Sequence, residues 1–386
     1  MKQYLNNKFF ETFKEKPDFF LSCGGRFEVL GNHTDHNHGV CIAATCSLAI
    51  YAAVKKRNDL KVRFLSEGYP KRTFDLSSLK KNPKEYGQPK ALIRGISFYL
   101  SKEYQYGGFD IYLVSSIPPG AGVSSSAAFE LLIAQTINIA FNENKVPLMT
   151  LCKAGQFAER VYYNKMCGLL DQIGVAYGGL SYIDFIDIDN PVVKPLKLEL
   201  KDYSFLIVNT GGSHAKLSHL YKAIPDDMFK VANFFKKDYL REVNENDVIE
   251  HKDEIIKQCG LSAYQRAIHF FTENKRVSEA YKAFENQDIE KVISLINESR
   301  VSSTELLQNM YVENIKGSPL EACNLMIEAS KGKAGVKING GGFAGSVIAL
   351  VPNSVLADVI KAATLKYGKE NVHQVSIRNE IPELLK

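Results

Sequence analysis

The sequence contains no apolar segment long enough to cross a membrane. Its longest apolar stretch, Val40–Val54, is interrupted by Thr45 and Ser47, whereas a membrane-spanning helix needs about 20 predominantly apolar residues. The start of the chain, Met1–Tyr4, also lacks the apolar region of a secretory signal. We therefore expect a soluble cytoplasmic protein with no membrane partner.

Dense blocks of Lys or Arg and paired cysteines are missing as well. The formal net charge of +5 is spread along 386 residues, so the pattern does not favour nucleic acid as a partner. The seven cysteines are scattered, mostly inside apolar runs such as the one that holds Cys41 and Cys46. An odd number without paired spacing predicts reduced thiols rather than a disulfide framework.

Size and hydrophobic pattern predict two domains of mixed α and β structure. A chain of 386 residues with 45 % hydrophobic content can bury a large core, and we expect the domains to cover 1–195 and 196–386. Periodicity predicts a helix over 1–20, with an aromatic face that includes Phe19 and Phe20, and another helix over 150–163. Strands alternate with a glycine loop and a helix over 336–377, which is typical of an α+β domain.

The segment Pro118–Ala128 has the order of elements that builds a phosphate site. A strand-like run over 109–117 precedes it, and an apolar run with helical periodicity follows it. Gly120 and Gly122 allow the backbone to approach an anion closely. The serines 124–126 stand where free amides and the positive end of a helix dipole face the same point. The segment is not a P-loop, because no Gly-Lys-Ser/Thr closes it.

Polar residues are dense between two apolar strands in the segment 24–39. Such density is costly to bury unless a ligand uses it. A carboxylate and amide set could hydrogen-bond a polyol, with Arg26 serving a phosphate, or the segment could be a solvated hairpin turn. A third interpretation is a metal site, although the helical His-Glu-x-x-His pattern is absent; its ligands would be His33, Asp35, His36 and His38.

Two carboxylates further along the chain are candidates for chemistry. Asp171 lies in an apolar stretch with Leu170 and Ile173, so its burial would require a cation or hydroxyl partner. A desolvated Asp near Arg26 would suit proton abstraction from a substrate hydroxyl, or its orientation. Glu159 stands twelve residues earlier on a predicted helix, where it could face a metal-bound phosphate.

A third glycine-rich segment, 338–346, joins two predicted strands. It has four glycines in six residues, 340–345, more than a tight hairpin requires, and this implies close approach to the backbone. Together and in this order, the segments resemble the three signature motifs of the GHMP small-molecule kinases. The first motif, Gly-Arg-x-x-x-x-Gly-x-His-Thr-Asp, is similar to that of the galactokinase family. The resemblance extends from Arg26 to Ser346.

The resemblance implies a fold, cofactors and site residues. The fold would have an N-terminal domain like ribosomal protein S5 and a ferredoxin-like C-terminal domain, with the active site in the cleft between them. The cofactors would be ATP and Mg²⁺, with Ser125 and Glu159 as metal ligands, and Asp171 and Arg26 would be catalytic. The residues implied to bind ATP are Gly120, Ala121, Gly122, Val123, Ser124, Ser125, Ser126 and Ala127. Those implied to bind the sugar are Asn32, His33, Asp35, Gly168, Asp171 and Tyr221, the last lying seven residues after His214.

The chain departs from the galactokinase pattern Gly-Arg-x-Asn-Leu-Ile-Gly-Glu-His-Thr-Asp-Tyr-Asn at three positions. Glu28 stands in place of the Asn, Asn32 in place of the Glu, and His36 in place of the Tyr. The missing Glu is the residue expected to hold the sugar 6-hydroxyl, and Asn can bond it only as a neutral group. The arginine pair expected after the sugar-contacting tyrosine is also absent, since Lys222-Ala223 follows Tyr221.

The implied activity is transfer of the ATP γ-phosphoryl group to the anomeric hydroxyl of galactose, by a monomer. Asp171 would orient or deprotonate that hydroxyl, while Arg26 and Mg²⁺ would stabilise the transferring charge. One alternative is a kinase of the same family for galacturonate, N-acetylgalactosamine or arabinose. Others are a sugar- and ATP-binding regulator without catalysis, and a metal-binding module built on the histidines of 33–38.

Overall fold

Two β-sheets, built mainly from successive parts of the chain, organise the fold. The computed structural model describes residues 1–212, 217–313 and 317–385. The strands are β1 (Phe19–Leu30), β2 (Val40–Lys56), β3 (Lys61–Ser66), β4 (Arg72–Asp75), β5 (Phe109–Ser115), β6 (Leu180–Asp184), β7 (Val192–Leu196), β8 (Tyr203–Asn209), β9 (Gly335–Asn339), β10 (Ser346–Pro352), β11 (Val372–Val375) and β12 (Glu383–Leu384).

The helices pack on both sheets and form a separate group between β8 and β9. They are α1 (Lys2–Phe13), α2 (Pro89–Leu100), α3 (Ser125–Asn142), α4 (Leu148–Phe157), α5 (Leu170–Ala176), α6 (Ser218–Phe234), α7 (Glu245–Glu250), α8 (Lys252–Cys259), α9 (Leu261–Glu285), α10 (Ile289–Ser302), α11 (Pro319–Ala329) and α12 (Asn353–Tyr367). Short 3-10 turns include Asp35–Asn37, and α4 and α10 continue into π-helical turns at Ala158–Tyr163 and Ser303–Leu307.

The long strand β2 organises the first sheet. Its first half pairs with β6 and its second half with β5, while β1 runs antiparallel along almost its whole length. β3 pairs with β5 in parallel, and the other pairs are antiparallel. Helix α1 packs on one face through Phe9 and Phe13, and α3 and α5 contact the same strands. Because helices cover both faces, β2 can be apolar over most of its length.

The second sheet has the order β11-β8-β10-β9 and is antiparallel. Alternate residues of β8 point to opposite faces, as the pleat requires. Phe205 and Ile207 join the core shared with the first sheet, whereas Leu206 and Val208 join the core under α11 and α12. The two sheets therefore share one continuous core, and the α+β class expected from the sequence is confirmed.

Two predicted helices differ from the observed elements. The helix predicted over 1–20 is wrong beyond Phe13, since Lys14 adopts a left-handed conformation that ends α1. Phe19 and Phe20 instead open β1. The helix predicted over 150–163 is α4 as far as Phe157, followed by a π-helical turn.

The division at 195/196 stays a prediction. In chain order, the first sheet extends to the end of β7 at Leu196, and the second sheet begins with β8 at Tyr203. The last strand, β12, nevertheless pairs with β1 of the first sheet, with Leu384 opposite Leu21. All seven cysteines are free thiols. Within the described ranges, no helix has the length and apolar character needed to span a bilayer.

Candidate active site

The glycine-serine loop between β5 and α3 has backbone features that favour the binding of an anion. Gly120 and Gly122 have positive φ angles of 76° and 70°, which other residues adopt only with strain. Ser124 occupies the N-cap position of α3, but its side chain makes no capping hydrogen bond there. The first amides of a helix have no partner within it, so those of Ser125, Ser126 and Ala127 lie at a favourable place for phosphate oxygens.

Arg26 and Asp171 form the ion pair at the edge of this loop. Both Nε and Nη2 of Arg26 lie 2.7 Å from Oδ1 of Asp171, and Arg26 Nη1 donates to the Gly122 carbonyl at 3.1 Å. Ser124 Oγ donates to Asp171 Oδ2 at 2.6 Å. β1 supplies the arginine and the first turn of α5 supplies the aspartate, so residues 145 positions apart meet at the loop.

The Asp171 carboxylate is ionised although it is largely desolvated. Burial alone would raise its pKa, but the Arg26 charge and the hydrogen bonds from Ser124 and Arg26 hold the pKa below the usual range. Its side chain remains 31 % exposed. An anionic acceptor beside this glycine-serine loop can take a hydrogen bond from a substrate hydroxyl.

Asp35 is a second carboxylate beside the first. It opens the 3-10 turn that follows β1, and its Oδ2 approaches the Gly168 backbone so closely that a Cβ at this position would displace the carboxylate. Burial, together with the charges of Asp171 and Glu28, raises the pKa of Asp35 to about 7. At neutral pH both the acid and the carboxylate form of this group are therefore populated.

In the third glycine-rich segment, three successive glycine carbonyls accept hydrogen bonds. The donors are side chains that the sequence predicted to bind the sugar. Asn32 Nδ2 donates to the Gly340 carbonyl at 2.7 Å, His33 Nε2 to the Gly341 carbonyl at 2.8 Å, and the Tyr221 hydroxyl to the Gly342 carbonyl at 2.6 Å. Because a carbonyl only accepts, His33 carries its proton on Nε2. A Cβ at Gly341 would meet the Tyr221 ring at 2.5 Å, so this close approach requires glycine.

The histidines that could form a metal site point to different partners. The His38 ring stacks on Tyr239 with 3.7 Å between centroids, and His36 Nδ1 is 3.0 Å from the Asn37 amide. In 1–212, 217–313 and 317–385, no group of three or more His, Cys, Asp or Glu side chains could hold a metal ion. The metal-binding module proposed for residues 33–38 is therefore not supported.

Comparison with known proteins places this arrangement in a family. Residues 91–179 match the N-terminal domain of the GHMP kinases, and residues 7–56 match the galactose-binding signature of galactokinases. A galactokinase of Clostridium tetani (strain Massachusetts / E88) is 32 % identical over 352 residues, which cover 89 % of this chain and 87 % of that protein. The chain belongs to the galactokinase family.

Other members of the galactokinase family and related structures agree. A galactokinase of Lactococcus lactis subsp. lactis (strain IL1403) is 28 % identical over 94 % of this chain and 90 % of that protein. The crystal structure of Lactococcus lactis galactokinase complexed with galactose superposes with a TM-score of 0.85 at 25 % identity, covering 100 % of both chains. The mevalonate kinase of Methanococcus jannaschii shares the fold, with a TM-score of 0.65 at 18 % identity over 93 % and 98 % of the two chains. The expected GHMP kinase fold is confirmed.

The departures from the galactokinase pattern at positions 28 and 32 form one buried network. Glu28 Oε1 lies 2.7 Å from Lys337 Nζ and accepts from Asn32 Nδ2 at 3.0 Å. The Asn32 oxygen accepts from Asn309 Nδ2 at 2.8 Å. Both amide hydrogens of Asn32 are thus donated within the protein, one to Glu28 and one to the Gly340 carbonyl. Glu28 therefore lies in the core and not at the exposed surface of the site.

The residues expected to hold Mg²⁺ have a suitable chemistry. Glu159 is buried on the π-helical turn, where its Oε1 lies 2.6 Å from Lys165 Nζ. Gln172 Nε2 lies 2.8 Å from Glu130 Oε2 and 3.4 Å from Glu159 Oε2, while Glu130 Oε1 is buried without a partner. Mg²⁺ takes one or two protein oxygens together with substrate phosphates and water, which fits Glu159 with the exposed Ser125.

The structure brings the predicted residues of the loop, the ion pair and the sugar segment together, and the role of each stays a prediction. His214, from which Tyr221 was counted, lies outside the described residues. Sequence reasoning missed Lys337, Asn309 and Glu130. Two of them carry a signal in the sequence: Lys337 is a lysine inside the apolar strand β9, and Glu130 is a glutamate in the apolar run of α3.

Proposed function

We propose that this protein transfers the γ-phosphoryl group of ATP to the anomeric C1 hydroxyl of galactose, which gives galactose 1-phosphate and ADP. The observation that carries the proposal is the Asp171 carboxylate, held at the edge of the glycine-serine loop by Arg26 and Ser124. The galactokinases of Clostridium tetani and Lactococcus lactis, and the Lactococcus structure with galactose, support the choice of sugar.

In this proposal the C1 hydroxyl donates its hydrogen bond to Asp171. As the new oxygen–phosphorus bond forms, the hydroxyl proton passes to the carboxylate, and the bond from the γ-phosphorus to the bridging oxygen breaks. ADP leaves with that electron pair. The Arg26 guanidinium, which borders both Asp171 and the loop at Gly122, stabilises the charge on the transferring oxygens.

ATP would place its phosphates on the loop amides of residues 120–127. Ser125 and Glu159 would hold Mg²⁺, which when bound neutralises charge on the phosphate oxygens. The hydroxyl and carboxylate oxygens of these two residues are the ligand type that Mg²⁺ prefers. Lys165 pairs with Glu159 and so compensates the charge of this carboxylate when no cation is bound.

The sugar would lie against His33, Asp35, the Gly168 backbone and Tyr221. Asn32 contributes less to binding of the sugar 6-hydroxyl than an acid would, because both of its amide hydrogens are already donated to protein acceptors. This observation favours, as a second candidate, a kinase of the same family for a sugar that differs from galactose at the 6-position, such as galacturonate or arabinose.

A substrate panel tests the proposal. Galactose, galacturonate, N-acetylgalactosamine and arabinose are each incubated with ATP and Mg²⁺, ADP formation is followed, and the phosphorylated carbon is assigned by ³¹P and ¹³C NMR. Preference for galactose with phosphate on C1 supports the proposal, whereas clear preference for another sugar contradicts the choice of galactose. If none of the sugars on the panel supports ADP formation, a binding regulator without catalysis is favoured instead.

The proposal includes a monomer in the cytoplasm. Light scattering coupled to size-exclusion chromatography checks the first part against the chain mass of 43.2 kDa. Fluorescence microscopy of the tagged protein in its own cell checks the second.

A further inference from the structure

Helix α9 contacts the backbone of the sugar segment through two buried side chains one turn apart. Glu273 Oε1 accepts from the backbone amides of Gly31 at 2.9 Å and Asn32 at 3.4 Å. His269 Nε2 lies 2.9 Å from the Asn32 carbonyl. Residues four apart share one helix face, so a single face of α9 binds three backbone groups of two consecutive residues.

The protonation states of both side chains are set by their surroundings. Burial alone would raise the pKa of Glu273, but Arg276, His269 and the hydroxyl of Ser299 hold it at about 2. Burial lowers the pKa of His269 to about 4, so its ring is neutral at physiological pH. Since the Asn32 carbonyl only accepts, the proton is on Nε2, and Nδ1 accepts from the Ser302 hydroxyl at 2.8 Å.

The bound backbone adopts an unusual conformation. Gly31 has a φ angle of 98° and His33 one of 58°, and a left-handed histidine persists only when its surroundings hold it there. A Cβ at Gly31 would meet the Val40 carbonyl at 2.6 Å, so this turn leaves little room for adjustment. The direction in which the His33 and Asp35 side chains leave the turn depends on these backbone angles.

We propose that Glu273 and His269 are positioning residues for the sugar pocket. They hold the Gly31–Asn32 backbone in the conformation that presents His33 and Asp35 to the substrate. This inference rests on the proposed function, because it concerns the same sugar site. Glu273 and His269 are both fully buried. They would therefore affect the affinity for the sugar through the backbone that they bind, without touching the sugar.

The test compares Glu273→Gln, Glu273→Ala and His269→Gln with the wild type. Hydrogen bonds to a charged group are stronger than neutral ones, so we expect the KM for galactose to rise about tenfold in Glu273→Gln and further in Glu273→Ala. The KM for ATP should stay within about twofold. In His269→Gln the amide can still donate to the Asn32 carbonyl, so a smaller rise is expected.

Galactose binding by calorimetry, without ATP, gives a second readout that does not depend on turnover. The matched control is Asp110→Asn, because Asp110 is likewise a fully buried carboxylate paired with arginines, Arg57 and Arg63, but lies in β5 away from the loop. We expect this variant to lose thermal stability without a change in the Kd for galactose.

Unchanged Kd and KM for galactose in folded Glu273→Gln and His269→Gln would overturn the inference while leaving the proposed function intact. If Glu273→Ala does not fold, the isosteric Glu273→Gln still decides the question. A parallel rise in the KM values for galactose and ATP would show general damage and would also overturn it. Failure of the wild type to phosphorylate any sugar would instead contradict the proposed function.

Discussion

The Lys337 ammonium lies 2.7 Å from the Glu28 carboxylate, and the two side chains are 0 % and 3 % exposed. Glu28 belongs to β1 of the first sheet and Lys337 to β9 of the second, so the pair bridges the two sheets. Both charges have further partners, the Asn32 amide for Glu28 and the Ile338 carbonyl for Lys337. A buried pair of this kind is costly to break from one side only, because the remaining charge is left without compensation.

We predict that Lys337→Met lowers the free energy of unfolding by about 3–5 kcal/mol. The double variant Glu28→Gln/Lys337→Met should recover part of the loss, since it leaves no isolated charge in the core. Urea unfolding of the wild type, both single variants and the double variant measures the coupling. Strictly additive losses would show that the two charges do not compensate each other.

Asp171→Asn should reduce kcat by at least two orders of magnitude, because an amide cannot accept the hydroxyl proton. The folded state should persist, as the amide oxygen can still accept from Arg26. Steady-state kinetics and a thermal melt of the same preparation check both statements. A folded Asp171→Asn protein with near-normal turnover would eliminate the proposed role.

Ser124→Ala should shift the acid limb of the pH profile for kcat/KM towards higher pH. The Ser124 hydroxyl helps to hold the pKa of Asp171 below the usual range, so its loss raises that pKa and the ionised carboxylate disappears earlier as the pH falls. Ser126→Ala is a suitable control, since Ser126 lies in the same turn. An acid limb at the same pH in both variants would contradict the assignment of that limb to Asp171.

The sequence alone predicted the local features of the site well and its long-range contacts poorly. The strand, glycine loop and helix around 109–142 follow from neighbouring residues, and the glycine spacing indicated a phosphate site. The partner of Glu28 lies 309 positions away and that of the Gly31 amide 242 positions away, so no local pattern could pair them. Asn32 was expected to face the sugar, yet its amide hydrogens are donated to the protein, which only the packed structure reveals.

Asp35→Asn should stabilise the ligand-free protein increasingly as the pH rises from about 4 to about 7, the range between the usual Asp pKa and that of Asp35. In this range the folded wild type binds a proton that the unfolded chain has lost, so the stability of the wild type falls with rising pH. Above about pH 7 the carboxylate is ionised in both states and the difference levels off. Thermal melts from pH 4 to pH 8.5 measure it, and a difference independent of pH would contradict the raised pKa.

Glu159→Gln should increase the Mg²⁺ concentration required for half-maximal activity. The amide oxygen is a weaker ligand for a hard cation than the carboxylate that it replaces. A titration with Mg²⁺ at fixed ATP measures the change, and binding of Mn²⁺ followed by electron paramagnetic resonance gives a readout without turnover.

Glu130→Gln is the matched comparison, because Glu130 and Glu159 are both buried and both lie near Gln172 Nε2. Burial and the adjacent Glu159 raise the pKa of Glu130 well above its usual range, which favours the protonated acid, and an amide resembles that form closely. We therefore expect Glu130→Gln to leave the Mg²⁺ requirement nearly unchanged. Equal effects of the two substitutions would mean that both carboxylates bind the cation, and that Glu130 ionises when Mg²⁺ enters the site.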